Sequence, residues 1–155
     1  MKGNAKLLET LNSLLADELT AIHQYRVQSE MCDNWGYEKL HQAIEQRAIG
    51  EMKHGVHLIG RILFLEGTPD VSKLNRIDIG TDVATQHKHD WNAEQGAVKA
   101  CNEGIHLAIE VVDNGTSERS EPILKDEAEH IDWTEARMDQ ITQMGVQNSL
   151  TEHVG

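Results

Sequence analysis

The sequence predicts an all-α fold, a four-helix bundle with one long crossover and a short C-terminal helix, and three observations carry that prediction. Leu, Ile, Val and Ala supply most of the apolar content, with one Phe, two Tyr, three Trp and two Pro, a balance that suits long helices better than short strands. Apolar positions recur at alternating three- and four-residue steps in four long stretches. Turn-forming clusters divide those stretches, and one connection is much longer than the others. At 155 residues the chain is the size of one domain, 1–155, with a single core.

The first stretch places Leu8, Leu11, Leu15, Ile22 and Tyr25 on one seam, and the remaining step is filled by Glu18. The second runs through Ile44, Ala48, Gly55, Leu58, Ile62 and Leu65, with Glu51 between Ala48 and Gly55. The third runs through Trp91, Val98, Cys101, Ile105, Ala108 and Val112 with Glu94 in phase, and the fourth through Leu124, Ile131, Met138 and Ile141 with Glu127 in phase. Each helix therefore carries one glutamate where a core residue is expected.

Turns are read at Asp33-Asn34-Trp35-Gly36, Gly67-Thr68-Pro69-Asp70 and Asp113-Asn114-Gly115-Thr116, and Gly145 closes the fourth helix before a short tail. The short first and third turns make helices one and two antiparallel, and likewise three and four. The stretch from about Gly67 to Thr81 can travel the length of a bundle whose helices are about 40 Å long at 1.5 Å per residue. Pro122 is placed in a first turn, which sets the start of helix four near Ser120.

The formal charge of -12 excludes nucleic acid and anionic membranes as natural partners and favours cations. The longest strongly apolar run, Ile62 to Leu65, is far below the ~20 residues of a membrane span, and the N-terminal residues lack an apolar signal core, so a cytoplasmic location is expected. Cys32 and Cys101 lack zinc or redox spacing and read as reduced thiols.

Four Glu-x-x-His pairs occur, Glu38/His41, Glu51/His54, Glu103/His106 and Glu127/His130, where about one is expected by chance from 16 Glu and 9 His. Helical phase separates them. Glu38 lies about 220° round the axis from Glu51, and Glu103 about 180° from Glu94, so those two pairs face away from the seam. The other two pairs are related by an offset of 76 residues, which also relates Glu18 to Glu94.

A bundle with that internal two-fold would gather Glu18, Glu51, His54, Glu94, Glu127 and His130 at its centre. Four unpaired carboxylates in a low-dielectric core would cost several kcal/mol each, and two divalent cations remove that cost. Oxygen-rich ligation with one imidazole per metal suits iron or manganese. Glu51 and Glu127 are expected to bridge, with Glu18 and His54 completing one position and Glu94 and His130 the other.

The stretches Leu15-Ala-Asp-Glu-Leu-Thr-Ala-Ile22, Asp33-Asn-Trp-Gly36, Glu51-Met-Lys-His54, Arg61-Ile-Leu-Phe-Leu-Glu-Gly67 and His130-Ile-Asp-Trp133 resemble those of the bacterioferritins, nearly end to end. The resemblance implies a ferritin-like bundle that oxidises Fe2+ with O2 or H2O2 at two iron ions per subunit. It also implies a 24-subunit shell holding the ferric mineral, of one or two subunit types, with haem b shared between paired subunits and a small ferredoxin partner for iron release. All six ligands of the family's ferroxidase centre are matched, and the family's haem ligand falls on Met52. Tyr25 corresponds to a tyrosine beside the centre, and Trp133 to a tryptophan better explained by packing.

The chain departs from its relatives at Gln46 and Gly50, where many have a histidine and an aspartate on the inner wall, and at His23 and Arg26, near the haem contacts. Two other readings compete: a di-iron oxygenase or peroxidase acting on an organic substrate or H2O2, and a haem-binding cage subunit whose metal site is inactive.

Overall fold

A computed structural model describes all residues 1–155. It consists of α1 (Ala5–Asn34), α2 (Glu38–Phe64), α3 (Val83–Glu110), α4 (Asn114–Met144), the short α5 (Val146–Leu150) and a closing 3-10 turn (Thr151–His153). The three-residue links 35–37 and 111–113 fold α1 on α2 and α3 on α4 as antiparallel pairs, and residues 65–82 form the crossover between the pairs. There are no strands. The predicted architecture, including the short C-terminal helix after Gly145, is observed.

Local chemistry sets the helix ends. The Asn4 side chain accepts from the backbone N–H groups of Lys6 and Leu7 and caps α1, and Asp82 caps α3 by accepting from Thr85. Gly145 leaves α4 with φ +79°, a conformation that costs glycine nothing.

The fourth helix corrects the sequence reading. It begins at Asn114 rather than near Ser120, so Pro122 lies inside it. Asp113 caps this earlier start through Thr116 N–H, and Ser120 Oγ donates to the Thr116 carbonyl at 2.8 Å. Arg61 of α2 reaches across to hold the same turn, its Nε donating to Thr116 Oγ1 at 2.8 Å and its Nη2 to Asp113 Oδ1 at 2.7 Å. Pro122 and Glu118 both face solvent, so water can satisfy the carbonyl that proline leaves without a donor. Tertiary contacts thus outweigh a local breaker. Arg61→Ala is expected to destabilise the chain by about 2 kcal/mol in urea denaturation, because it removes the bonds that tie α2 to Thr116 and Asp113 of α4, while Asp113 keeps its bonds from Thr116.

The core comes in two apolar layers. Leu7, Leu11, Leu15, Leu58, Ile62 and Leu107 build one end of the bundle, and Cys32, Leu40, Ile44, Ala48 and Val83 build the other. The seam glutamates lie between them.

The crossover has no regular structure of its own and is held by polar side chains of α1. Asn12 donates to the Thr68 carbonyl and accepts from Asp70 N–H; Thr20 accepts from Asn75 N–H at 2.8 Å. Gln24 and Gln28 accept from Asp78 N–H and Gly80 N–H at 3.3 and 3.1 Å. A Cβ at Gly80 would lie 2.4 Å from the Gln86 backbone nitrogen, so only glycine fits where the crossover turns into α3.

Candidate metal centre

Between the two apolar layers the structure brings together all six residues predicted from the sequence. Glu18, Glu51, Glu94 and Glu127 are each at most 6 % exposed, although they are carboxylates. One group of potential ligand atoms comprises Glu18, Glu51, His54 and Glu127, and a second comprises Glu51, Glu94, Glu127 and His130. Glu51 and Glu127 belong to both. His54 Nδ1 lies 3.4, 3.2 and 3.2 Å from oxygens of Glu18, Glu51 and Glu127. His130 Nδ1 lies 3.4, 3.5 and 3.7 Å from oxygens of Glu51, Glu94 and Glu127. Opposite edges of the two shared carboxylates face opposite imidazoles, as a pair of bridging groups requires.

The groups fit metal ions by their unmet valence. Glu18 Oε2, Glu51 Oε1, Glu94 Oε2, Glu127 Oε1 and His130 Nδ1 are buried without a hydrogen-bond partner, and all belong to residues of the two ligand groups that share Glu51 and Glu127. Four oxygens and one nitrogen left this way in one native core call for cations.

Without a metal, the cluster balances its charge with protons. Burial pushes the Glu18 carboxyl well above its usual range, and burial with the neighbouring Glu127 pushes Glu94 up to about 7. Burial also opposes ionisation of Glu51 and Glu127, but the proton-bearing neighbours packed against their oxygens outweigh it. Glu18, His130 and His54 hold Glu51 down at about 2, and Glu94, His130 and His54 hold Glu127 below its usual value. The imidazoles respond in the opposite sense. Burial alone would lower them, yet the surrounding carboxylates raise His130 to about 11 and His54 further. The shifts thus favour the protonated forms of Glu18 and Glu94, the ionised forms of Glu51 and Glu127 and the cationic forms of both histidines, so that the charges of the cluster tend to cancel.

Groups around the cluster steady it. The Tyr25 hydroxyl donates to Glu94, and burial raises the phenol well above its usual range. His54 Nε2 lies 2.8 Å from Asp126 Oδ2, which turns Nδ1 inward. Arg47 is 6 % exposed and lies between the rings of Tyr25 and Trp133, 5.2 and 4.9 Å from their centroids. It is a permanent positive charge one layer from the carboxylates. Asp90, fully buried one turn before Glu94, accepts from Gln24 and Gln28 at 2.9 and 2.7 Å. Those bonds turn the glutamine oxygens toward the crossover. A cleft of about 360 Å3 between α1, α3 and the crossover, lined by Asp17, Gln24, Asn75, Asp78 and His89, reaches Glu18, Glu51, Glu94 and Glu127.

Sequence reasoning did not single out Asp126, Arg47 or Asp90. Asp90 carried a signal, since it lies four residues before Glu94 on the same helical face. Asp126 and Arg47 act on partners in other helices, and no spacing along the chain reports them. Met52 was singled out, and it lies 49 % exposed on the outer face of α2, in a stripe with the exposed Val56 and Leu63. Glu38, Glu103 and His106 are exposed, as the phase argument requires.

The profile of the ferritin-like domain matches residues 8–144. The bacterial ferritin of Paramagnetospirillum magnetotacticum is 37 % identical over 157 aligned residues, covering 100 % of this chain and 96 % of its own. This chain belongs to the bacterioferritin family. The bacterioferritin of Rhodobacter capsulatus is 36 % identical over 147 residues, 95 % of this chain and 91 % of its own. That of Mycolicibacterium paratuberculosis is 34 % identical over 147 residues, 95 % and 92 % respectively. Bacterioferritin membership supports a role in iron storage, and the carboxylate and imidazole cluster supports iron binding. In this chain Gln46 is exposed, and Arg26 pairs with Glu45 at 2.9 Å on the face shared by α1 and α2. No helix is long and apolar enough to cross a membrane.

Proposed function

We propose that this chain is an iron-storage ferroxidase: it oxidises Fe2+ at a two-iron centre held by Glu18, Glu51, His54, Glu94, Glu127 and His130. The observation that carries the reading is that Glu51 and Glu127 each face both imidazoles, which makes one paired site of two half-sites. When bound, two iron ions supply one electron each, so that two Fe2+ with O2 and two protons give two Fe3+ and H2O2, or with H2O2 and two protons give two Fe3+ and two waters.

The protein's own part is to bind, orient and manage protons. Loading the centre displaces the protons held on Glu18, Glu94, His54 and His130, and Asp126 keeps the His54 ring turned inward as its proton leaves. Tyr25 steadies Glu94, and the apolar layers above and below close the centre toward the two ends of the bundle. The cleft beneath the crossover is the route by which Fe2+ reaches the glutamates; Asp17 faces it as a carboxylate, while Asp78 at its rim is paired with Arg76 at 2.9 Å.

On this reading storage would take place inside a cytoplasmic shell of 24 copies, and haem b, when bound between two copies, would be held by Met52 of each. The exposed stripe of Met52, Val56 and Leu63 fits an apolar contact of that kind. Adding Fe2+ in air should give rapid oxidation of two irons per chain that is lost in Glu18→Ala and in His130→Ala. Unchanged initial rates in both variants would exclude the reading. A large shell on a sizing column favours storage over an oxygenase or peroxidase, and an optical spectrum after haem addition, lost in Met52→Ala, tests the haem assignment.

A further inference from the structure

The 76-residue offset that relates the two halves of the centre does not hold in its surroundings. Asp126 stands behind His54, with Oδ2 2.8 Å from Nε2. The position one offset away, which should stand behind His130, is Gly50, and a Cβ built there would meet nothing within 4 Å, which leaves room for a longer side chain. The charged contacts of the His130 ring within the chain are all through Nδ1, and its side chain is 21 % exposed against 8 % for His54. The carboxylates show a second asymmetry. Tyr25 donates to Glu94, whereas the position one offset away is Cys101, whose Sγ turns to the Ser120 carbonyl and gives Glu18 no matching donor.

Both differences act in one direction. A carboxylate that accepts from the far nitrogen of an imidazole raises the ligand strength of the near nitrogen and fixes its orientation, and His54 has this while His130 does not. A hydroxyl that donates to a carboxylate draws electron density from the oxygens that would bind a metal, and Glu94 has this while Glu18 does not. Resting on the reading of the cluster as a two-cation centre, we propose that its halves are unequal. The Glu18/His54 position fills first and holds its cation tightly; the Glu94/His130 position fills second and empties first. Asp126 is the positioning residue that creates the difference, and Gly50 is the vacancy that preserves it.

The test is an anaerobic titration of the assembled protein with Co2+, followed by absorbance and calorimetry. The native chain should bind two Co2+ in two resolved steps. Asp126→Ala should weaken the first step by roughly 10–100-fold, the usual effect of losing a group behind a ligating histidine. Asp126→Asn should recover part of it, since its amide oxygen still accepts the imidazole N–H. Gly50→Asp should tighten the second step, and Tyr25→Phe should tighten it without changing the first. Two equal steps in the native chain, or an Asp126→Ala variant that weakens only the second step, would overturn the proposal. Failure to bind two Co2+ at all would instead reject the two-cation reading on which it rests.

Discussion

Replacing Glu51 by alanine should abolish binding of both cations, not one. Its two oxygens face His54 at 3.2 Å and His130 at 3.4 Å, so one substitution strips a ligand from each half of the site. The loss should exceed the roughly 10–100-fold that removal of an outer group costs, and it should appear in both steps of a Co2+ titration. Glu127→Ala should behave in the same way, because its oxygens also reach both imidazoles. Glu18→Ala should weaken one step and leave the other, since Glu18 faces only His54. A Glu51→Ala variant that kept one step of native affinity would show that Glu51 does not bridge.

The second large effect is on stability against pH, and it differs between the metal-free and the loaded protein. His130 sits at about 11 in the folded chain, above the usual imidazole value of 6.5. Its contribution is therefore complete below about pH 6.5 and is lost as pH rises toward 11. Glu94, raised from 4.5 to about 7, adds to the same trend, being most stabilising below pH 4.5 and losing that contribution as pH passes through 7. Glu51, lowered to about 2, contributes above pH 4.5 and fails only as pH falls through 2. The metal-free protein should therefore lose thermal stability steadily from about pH 5 to pH 9.

Divalent cations take the place of those protons, so the loaded protein should not share the decline. The rise in Tm on adding Co2+ should then grow with pH when measured at pH 5.5, 7 and 8.5 against a chelated control. A rise that stayed constant or shrank would mean that the protons and the cations do not compete for the same atoms.

The six candidate ligands could be read from one dimension because a helix converts spacing into direction. Glu18, Glu51, Glu94 and Glu127 stand in core phase, and at 76 residues the offset is one physical symmetry written twice. The helix count, the two short links and the long crossover were readable for the same reason, since they follow from local periodicity and local turn chemistry. Nothing nonlocal was needed to discard Glu38/His41 and Glu103/His106.

What the sequence by itself determined, then, is the bundle, its connectivity and the residues that meet at its centre. Only the tertiary structure decided where helix four begins, because Arg61 from another helix holds the turn at Thr116 and outweighs Pro122. Only it decided which imidazole is backed by a carboxylate, since Asp126 reaches His54 across 72 residues of chain. The same holds for Arg47, stacked between Tyr25 on α1 and Trp133 on α4. Periodicity reports which way a side chain points from its own helix; it does not report what another helix has placed there, and at this centre that second quantity makes the two halves unequal.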